Sequence, residues 1–247
     1  MIKLTRYFLL LLLCIGCKKE HTLTIDSFKL DHTSCDTCPS IKIDIPNALD
    51  NTKIAQNINT ALDEELIYLL NFDETANVQS VQDAIESFIV SYQNIQQKFG
   101  EETIGWEAEI IGEVVFEDNN IITIKLNSYT FTGGAHGHGA TTYLNFEKQN
   151  GTELENHQLF KDYENFEVLA EKMFRKKEGI PQKEGINSTG FMFSGDTFHL
   201  SNNIGYTKEG IQLVYNQYEV ASYADGPVVL VIPFEKANEH LQYSLQL

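Results

Sequence analysis

The sequence is poor in basic residues, with 18 Lys and Arg against 35 Asp and Glu and a formal net charge of −17. Nucleic-acid-binding proteins gain affinity from clustered basic side chains that release phosphate counterions. The charge therefore argues against nucleic acid as a partner and favours a basic macromolecule. Tryptophan, cysteine and proline are also scarce, with 1, 4 and 5 residues, but 42% of the residues are hydrophobic, which is enough for a globular core.

Long apolar runs are missing after the N-terminus. Lys3 and Arg6 precede an apolar run over residues 7–17, which is the pattern of a secretion signal. The run is shorter than the roughly 20 residues that a membrane-spanning helix needs. Gly16 directly before Cys17 resembles the lipobox of bacterial lipoproteins and predicts a signal peptide over 1–16 with lipid, such as palmitate, on Cys17. An ordinary secreted protein or an uncleaved anchor is the alternative.

Two further cysteines, Cys35 and Cys38, lie in a polar segment over 17–40 that we interpret as a tether. Outside the cytoplasm a local Cys35–Cys38 disulfide is expected. A metal site with His32, a redox-active pair and free thiols stay open as alternatives.

Hydrophobic periodicity predicts three helices. They are one capped by Asp50 or Thr52, one from Ser80 to Gly100, and one from Asn165 toward Glu178. Alternation predicts a strand over Ile41–Ile45 that ends at Pro46, and a long hairpin that turns at 118–120. Three more strands are predicted over Thr141–Phe146, Ile211–Tyr215 and Val228–Ile232, the last one central in its sheet because it is apolar throughout.

This order of elements predicts an α+β fold, a mainly antiparallel sheet packed against helix pairs. We expect a helical module over 41–104 and a strand-rich domain over 105–247, which could also form one continuous domain.

The segment from Ser128 to Gly137 resembles the Tyr-x-x-x-Gly-Gly-Ala-His signature of the RsiV-like domain of unknown function. Residues 215–226 are similar to the family's closing Tyr-x-x-Tyr-x-x-x-x-Tyr-x-x-Gly run. That family forms the outer part of a lysozyme-sensing anti-sigma factor and accompanies the catalytic domain of some peptidoglycan deacetylases. The sequence has no counterpart of the sigma-binding segment or of that catalytic domain, so the resemblance implies only a binding or sensing module.

The glycine-rich segment Gly133–Gly139 is the most unusual local sequence. We interpret it as a structural bend, as a ligand contact through Tyr129, Gly133, Gly134, His136 and His138, or as a metal site if the two histidines face the same side. It does not match a phosphate-binding loop, because a strand follows it. No metal ligand beyond the two histidines is evident, so no cofactor is predicted.

Three tyrosines of the closing run, Tyr215, Tyr218 and Tyr223, combine apolar area with a polar tip, as residues of binding surfaces do. We predict that Tyr215 and Tyr218 belong to the core, and Tyr223 fits either role; Tyr218 and Tyr223 are kept as ligand-contact candidates.

The sequence contains neither a Gly-x-Ser-x-Gly elbow nor a His-Glu-x-x-His helix. It therefore predicts a non-catalytic lipoprotein of the bacterial cell envelope, in the periplasm or at the cell surface. Its expected ligand is a basic protein such as lysozyme, or peptidoglycan. The alternatives are an envelope hydrolase or metal-dependent enzyme that uses His136 or His138, and a structural lipoprotein.

Overall fold

The computed structural model describes residues 23–33, 38–72, 77–100 and 104–245. The predicted signal peptide, Cys17 and Cys35 lie outside these ranges. Cys38 is disulfide-bonded. Because Cys35 lies outside the described residues, the pairing of Cys38 with Cys35 stays a prediction.

Nine strands and four helices form within the described residues. The strands are β1 (Ile25–Thr33), β2 (Ser40–Ala48), β3 (Glu107–Glu117), β4 (Ile121–Phe131), β5 (His138–Glu147), β6 (Thr152–Leu154), β7 (Asn203–Thr207), β8 (Gly210–Tyr215) and β9 (Val228–Ile232). The helices are α1 (Lys53–Leu70), α2 (Val81–Phe99), α3 (Tyr163–Glu178) and α4 (Phe234–Ala237). None of these helices is long and apolar enough to cross a membrane.

Two sheets organise the described part of the chain. The larger has the order β1-β2-β3-β4-β5-β6, and the smaller has the order β7-β8-β9. Every neighbouring pair is antiparallel except β2 and β3, which are parallel because α1 and α2 form the crossover between them. The predicted α+β class with mainly antiparallel pairing is confirmed. Because β2 pairs with β3, the larger sheet also spans the expected module boundary at 104/105.

The helices α1 and α2 cover one face of the larger sheet, which we call the helical face. Thr52 caps α1 and Ser80 caps α2 through their hydroxyls, each of which accepts a backbone N–H in the first turn. The α1 and α2 side chains that contact the sheet are almost fully buried, among them Ile58, Leu62, Leu66, Ala84 and Phe88. They pack against sheet residues such as Ile43, Ile110 and Leu126 in one core.

The opposite face of the larger sheet, which we call the second face, packs against the smaller sheet near β5. Asn145 is 1% exposed, accepts a hydrogen bond from Thr123 Oγ1 at 2.8 Å and donates to the Ile204 carbonyl at 2.8 Å. A Cβ added at Gly205 would lie 2.4 Å from Tyr143 Cδ1, so the ring of Tyr143 rests directly on the β7 backbone. Hydrogen bonds and close packing therefore join the two sheets.

Three predictions about strands are corrected by the structure. Pro46 does not end β2, because β3 pairs with β2 only as far as Asp44 and the missing N–H of Pro46 costs no bond on that side. The strand Val228–Ile232 is an edge, not central; it is apolar because α3 packs against it. The polar segment over 17–40 is not a tether throughout, because residues 25–33 form β1, a nine-residue edge strand of the larger sheet.

Candidate functional site

Three segments meet at one end of the second face, two of them consecutive in the sequence and the third about 80 residues later. They are the end of β4, the loop 132–137 that leads into β5, and the loop 216–227 that connects β8 to β9. They bring together four ring side chains, which we call the aromatic cluster: Tyr129, His136, Tyr218 and Tyr223. All four are candidates predicted from the sequence.

His136 is the centre of this cluster. Its ring stacks on Tyr223 with the ring centroids 3.8 Å apart and an interplanar angle of 21°. His136 Nδ1 lies 3.0 Å from the Gly137 carbonyl oxygen, and Nε2 lies 3.4 Å from the Tyr218 hydroxyl. Because a carbonyl oxygen can only accept, this geometry assigns the proton of the neutral ring to Nδ1 and leaves Nε2 to accept from Tyr218.

Gly137 is buried beneath the ring of Tyr129. A Cβ at this position would lie 2.5 Å from the Cε2, Cζ and hydroxyl atoms of Tyr129, so a side chain here could be placed only if the ring of Tyr129 moved. The Gly137 carbonyl also accepts a hydrogen bond from the Tyr223 hydroxyl at 3.1 Å. One residue thus positions three of the four rings of the cluster.

Gly133 and Gly134 determine the backbone conformation of the loop 132–137. Their φ angles are 96° and 91°, and an added Cβ would meet no atom within 4 Å at either position. Positive φ angles favour glycine, so the two residues allow the chain to reverse. The structure gives them a turn-forming role, and ligand contact through them stays a prediction.

Tyr215 and Tyr218 have different surroundings. Tyr215 is fully buried, as predicted, and its hydroxyl donates to the His199 carbonyl at 2.7 Å. Burial raises the pKa of the Tyr215 hydroxyl far above its ordinary value. The core prediction for Tyr218 is wrong, because its left-handed backbone with φ of 70° turns the side chain outward and leaves it 58% exposed. Tyr223 is half-buried.

His138 does not join the cluster. It pairs with Thr130 in the β4–β5 ladder, and the next pair along the ladder is Tyr129 with Gly139. Because successive side chains of a strand point to opposite faces, His138 belongs to the helical face and Tyr129 to the second face. The two histidines therefore lack the common side that a shared metal site would need. Among the described residues, no three His, Cys, Asp or Glu side chains gather around a possible metal position.

Two acidic residues are neighbours of cluster residues in the sheet register or in the sequence. Glu109 lies directly opposite Tyr129 in the β3–β4 ladder, and Glu219 follows Tyr218 in the loop; both are exposed. Partial burial raises the pKa of the Glu219 carboxyl, and hydrogen bonds with Asn216 counteract part of this rise. Lys42 stands beside Glu109 on β2 and offsets one negative charge.

The arrangement is a shallow surface of exposed rings, suited to binding by contact. The sequence indicated the four rings of the cluster, but it indicated neither Gly137 as their support nor Asn216 as the residue that ties the β8–β9 loop to β5. Neither role has a local signal, because each depends on a residue from a distant segment.

Comparisons with known proteins agree with this architecture. The family model described as deacetylase PdaC matches residues 33–138, and the model described as a protein of unknown function, DUF3298, matches residues 148–235. No curated protein matches the chain significantly.

Two crystal structures of DUF3298 family proteins share the fold. The protein from Bacteroides fragilis is 22% identical with a TM-score of 0.70, and the alignment covers 90% of this chain and 94% of that one. The protein from Pseudomonas aeruginosa is 20% identical with a TM-score of 0.62, and the alignment covers 90% of this chain and 96% of that one. The family resemblance predicted from the sequence is confirmed: residues 33–138 match the family model described as deacetylase PdaC, and residues 148–235 match the model described as a protein of unknown function, DUF3298.

Proposed function

We propose that this chain is a non-catalytic, lipid-tethered protein of the bacterial cell envelope that binds a basic protein such as lysozyme. The observation that carries the proposal is the aromatic cluster, in which four ring side chains from two distant parts of the chain, 129–136 and 218–223, converge on one patch of the surface. Tyrosine is enriched among the residues that dominate protein interfaces, so such a patch is a natural contact surface.

The backbone of Tyr218 supports a binding role. A bulky residue with positive φ is uncommon, and such strain accumulates at functional sites, where the surrounding structure maintains it. Here the strain leaves a large ring mostly in solvent instead of in the core.

The charge of the chain supports a basic partner. The net charge of −17 would steer a cationic protein toward the surface, and Glu109 and Glu219 add local negative charge beside the exposed rings. Removal of the predicted signal peptide, with Lys3 and Arg6, would make the exported chain still more acidic.

Titration calorimetry with lysozyme tests the proposal directly. We expect binding that weakens as salt is raised, and about tenfold weaker binding for Tyr218→Ala. Tyr68→Ala is the matched control, because Tyr68 on α1 is 80% exposed and lies outside the cluster. No detectable heat with lysozyme at low salt, or equal effects of the two substitutions, would contradict the proposal.

A cell-wall glycan is the second candidate ligand, because sugar rings pack well on exposed aromatic faces. The same calorimetry with soluble peptidoglycan fragments distinguishes the two ligands. If the chain binds the glycan but not lysozyme, and Tyr218→Ala abolishes glycan binding, the aromatic cluster is a glycan-binding site. Its affinity should respond less to salt than that of a cationic protein, since the sugar face that packs on a ring carries no charge.

The tether is proposed from the sequence around Cys17. Cells expressing the full chain and fed labelled palmitate should yield a labelled protein in the membrane fraction, and Cys17→Ser should abolish the label. Cys38→Ser is the matched control and should keep the label. An unlabelled wild-type protein in the soluble fraction would contradict the tether and leave the binding proposal to be tested separately.

A further inference from the structure

The outer edge of β1 carries backbone groups that are free to pair. Among the described residues no strand pairs with this edge. Leu49 N–H donates to the Thr24 carbonyl at 2.9 Å, and Pro46, which has no N–H, stands opposite Ser27. In an antiparallel ladder this register turns the N–H and C=O groups of Ser27, Lys29 and Asp31 away from β2. The Ser27 N–H donates to Asp26 Oδ1 at 2.8 Å, so the groups left for a further strand are those of Lys29 and Asp31 and the Ser27 carbonyl.

A groove lies beneath this edge on the helical face. It has a volume of about 550 Å³ and runs between β1 and β2 on one side and α1 and the start of α2 on the other. Its apolar lining includes Phe28, Leu30, Ile45, Leu62, Ile67 and Ile85. The side chain of Phe28, on the strand that borders the groove, is 39% exposed, so part of this apolar lining faces solvent.

One carboxylate faces this groove without a cation. Asp63 of α1 is part of the lining, and no ion pair or hydrogen bond of its carboxylate is found within the described residues. Its surroundings withdraw it partly from water and raise the pKa of its carboxyl. A positively charged group placed in the groove would stabilise the ionised carboxylate of Asp63 and so offset the effect of this partial burial.

We propose that β1 and the groove form a second binding site, which takes an extended peptide segment of a partner protein. The peptide adds as a further strand to β1, its alternate apolar side chains enter the groove, and a lysine or arginine among them pairs with Asp63. Main-chain hydrogen bonds supply affinity in this mode, and the groove and carboxylate supply selectivity. The site lies on the helical face and does not depend on the aromatic cluster.

Acetylated seven-residue peptides provide the probe. They carry threonine at odd positions and two valines and one lysine at even positions, with the lysine placed at each even position in turn. A fluorescent label allows binding to the full chain to be followed by anisotropy. We expect one lysine position to bind best, because the peptide register is fixed by Asp63.

The backbone requirement is tested by N-methylation of the best peptide at its odd or its even residues. One of the two methylated versions should lose binding at least about tenfold, because the methyl groups remove N–H donors that face β1. If both methylated versions bind like the parent peptide, strand addition is overturned. Failure of all three parent peptides to bind overturns the proposal as well.

Protein variants test the groove. Phe28→Ala and Asp63→Asn should each weaken the best peptide about tenfold, whereas Tyr68→Ala should leave its affinity unchanged. Unchanged affinity in both groove variants overturns the proposal. Sedimentation of the chain alone provides a further check: a dimer that Lys29→Pro dissociates would show that a second copy occupies the edge, and this too overturns it.

Discussion

The side chain of Asn216 forms two hydrogen bonds with the backbone of Thr141. Its Oδ1 accepts from the Thr141 N–H at 2.8 Å, and its Nδ2 donates to the Thr141 carbonyl at 3.0 Å. Asn216 begins the β8–β9 loop and Thr141 lies in β5, so this pair extends the edge of one sheet into the other. It also fixes where Tyr218 and Tyr223 stand relative to His136.

Asn216→Ala should therefore destabilise the protein and loosen the aromatic cluster. Two partly buried backbone groups of Thr141 lose their partners, which is expected to lower the free energy of unfolding by about 2 kcal/mol. Urea denaturation measures this change. Asn119→Ala is the matched control, because Asn119 is an exposed turn residue and its loss should have little effect. Equal midpoints for the two variants would contradict a stabilising role for Asn216.

Gly137→Ala should displace the ring of Tyr129. The new methyl group would occupy space 2.5 Å from the ring, and the ring can swing toward solvent because Tyr129 is 38% exposed. We expect a modest loss of stability, about 1 kcal/mol, and a clear change in the NMR signals of the Tyr129 ring.

Gly139→Ala is the control for this substitution. A Cβ at Gly139 would lie 3.7 Å from Gln217 Oε1, an ordinary contact distance. If Gly139→Ala disturbs the Tyr129 signals as much as Gly137→Ala does, the close contact at Gly137 is not the cause.

Stability should fall in alkaline solution through buried tyrosines. Burial raises the pKa of Tyr143 to about 12, whereas a tyrosine in the unfolded chain ionises near 10. Between these values the folded chain binds the proton more tightly, so the stabilisation is complete below about pH 10 and is lost as the pH rises toward 12. Burial also raises the pKa of Tyr206 and Tyr215, which steepens the fall.

Tyr143→Phe isolates one part of this pH dependence. The variant loses the hydrogen bond to Gln212 at every pH, but its stability should fall less steeply than that of the wild type between pH 10 and pH 12. Urea midpoints across this range measure the slope. Tyr68→Phe, which changes an exposed ring, should retain the wild-type slope, and an unaltered slope in Tyr143→Phe would rule out the proposed contribution.

The binding proposal predicts that the chain does not convert peptidoglycan fragments. Wild type and His136→Ala should both leave soluble muropeptides intact when the reaction is followed by chromatography, with His157→Ala as an exposed-histidine control. Product formed by the wild type and the control but not by His136→Ala would favour the enzyme alternative instead.

Local patterns predicted the helices well. Ser80 and Gly100 mark the two ends of α2, and Gly179 ends α3 with the left-handed backbone expected of a terminating glycine. These features depend on contacts within a few residues of each other. The sequence therefore contains all the information that they need.

Positions set by distant contacts were harder to predict. The outward orientation of Tyr218 follows from its unusual φ, which the apolar pattern around it conceals. The face on which His138 lies follows from the β4–β5 register. A register shifted by one residue would place His138 on the second face instead of the helical face. The four rings could be predicted as candidates, but their meeting point requires the docking of one sheet on the other.

Strand β5 belongs to both halves of the molecule at once. The PdaC family match ends at His138 and the DUF3298 match begins at Lys148, so all of β5 except its first residue lies between the two. One side of β5 completes the helix-packed core through Leu144 and Phe146, and the other supplies Tyr143 and Asn145 to the smaller sheet. A cut after His138 would leave the N-terminal fragment with no strand paired to the outer edge of β4. A cut before Lys148 would leave the C-terminal fragment without the β5 side chains that cover β7. We therefore expect the two halves to unfold in a single transition.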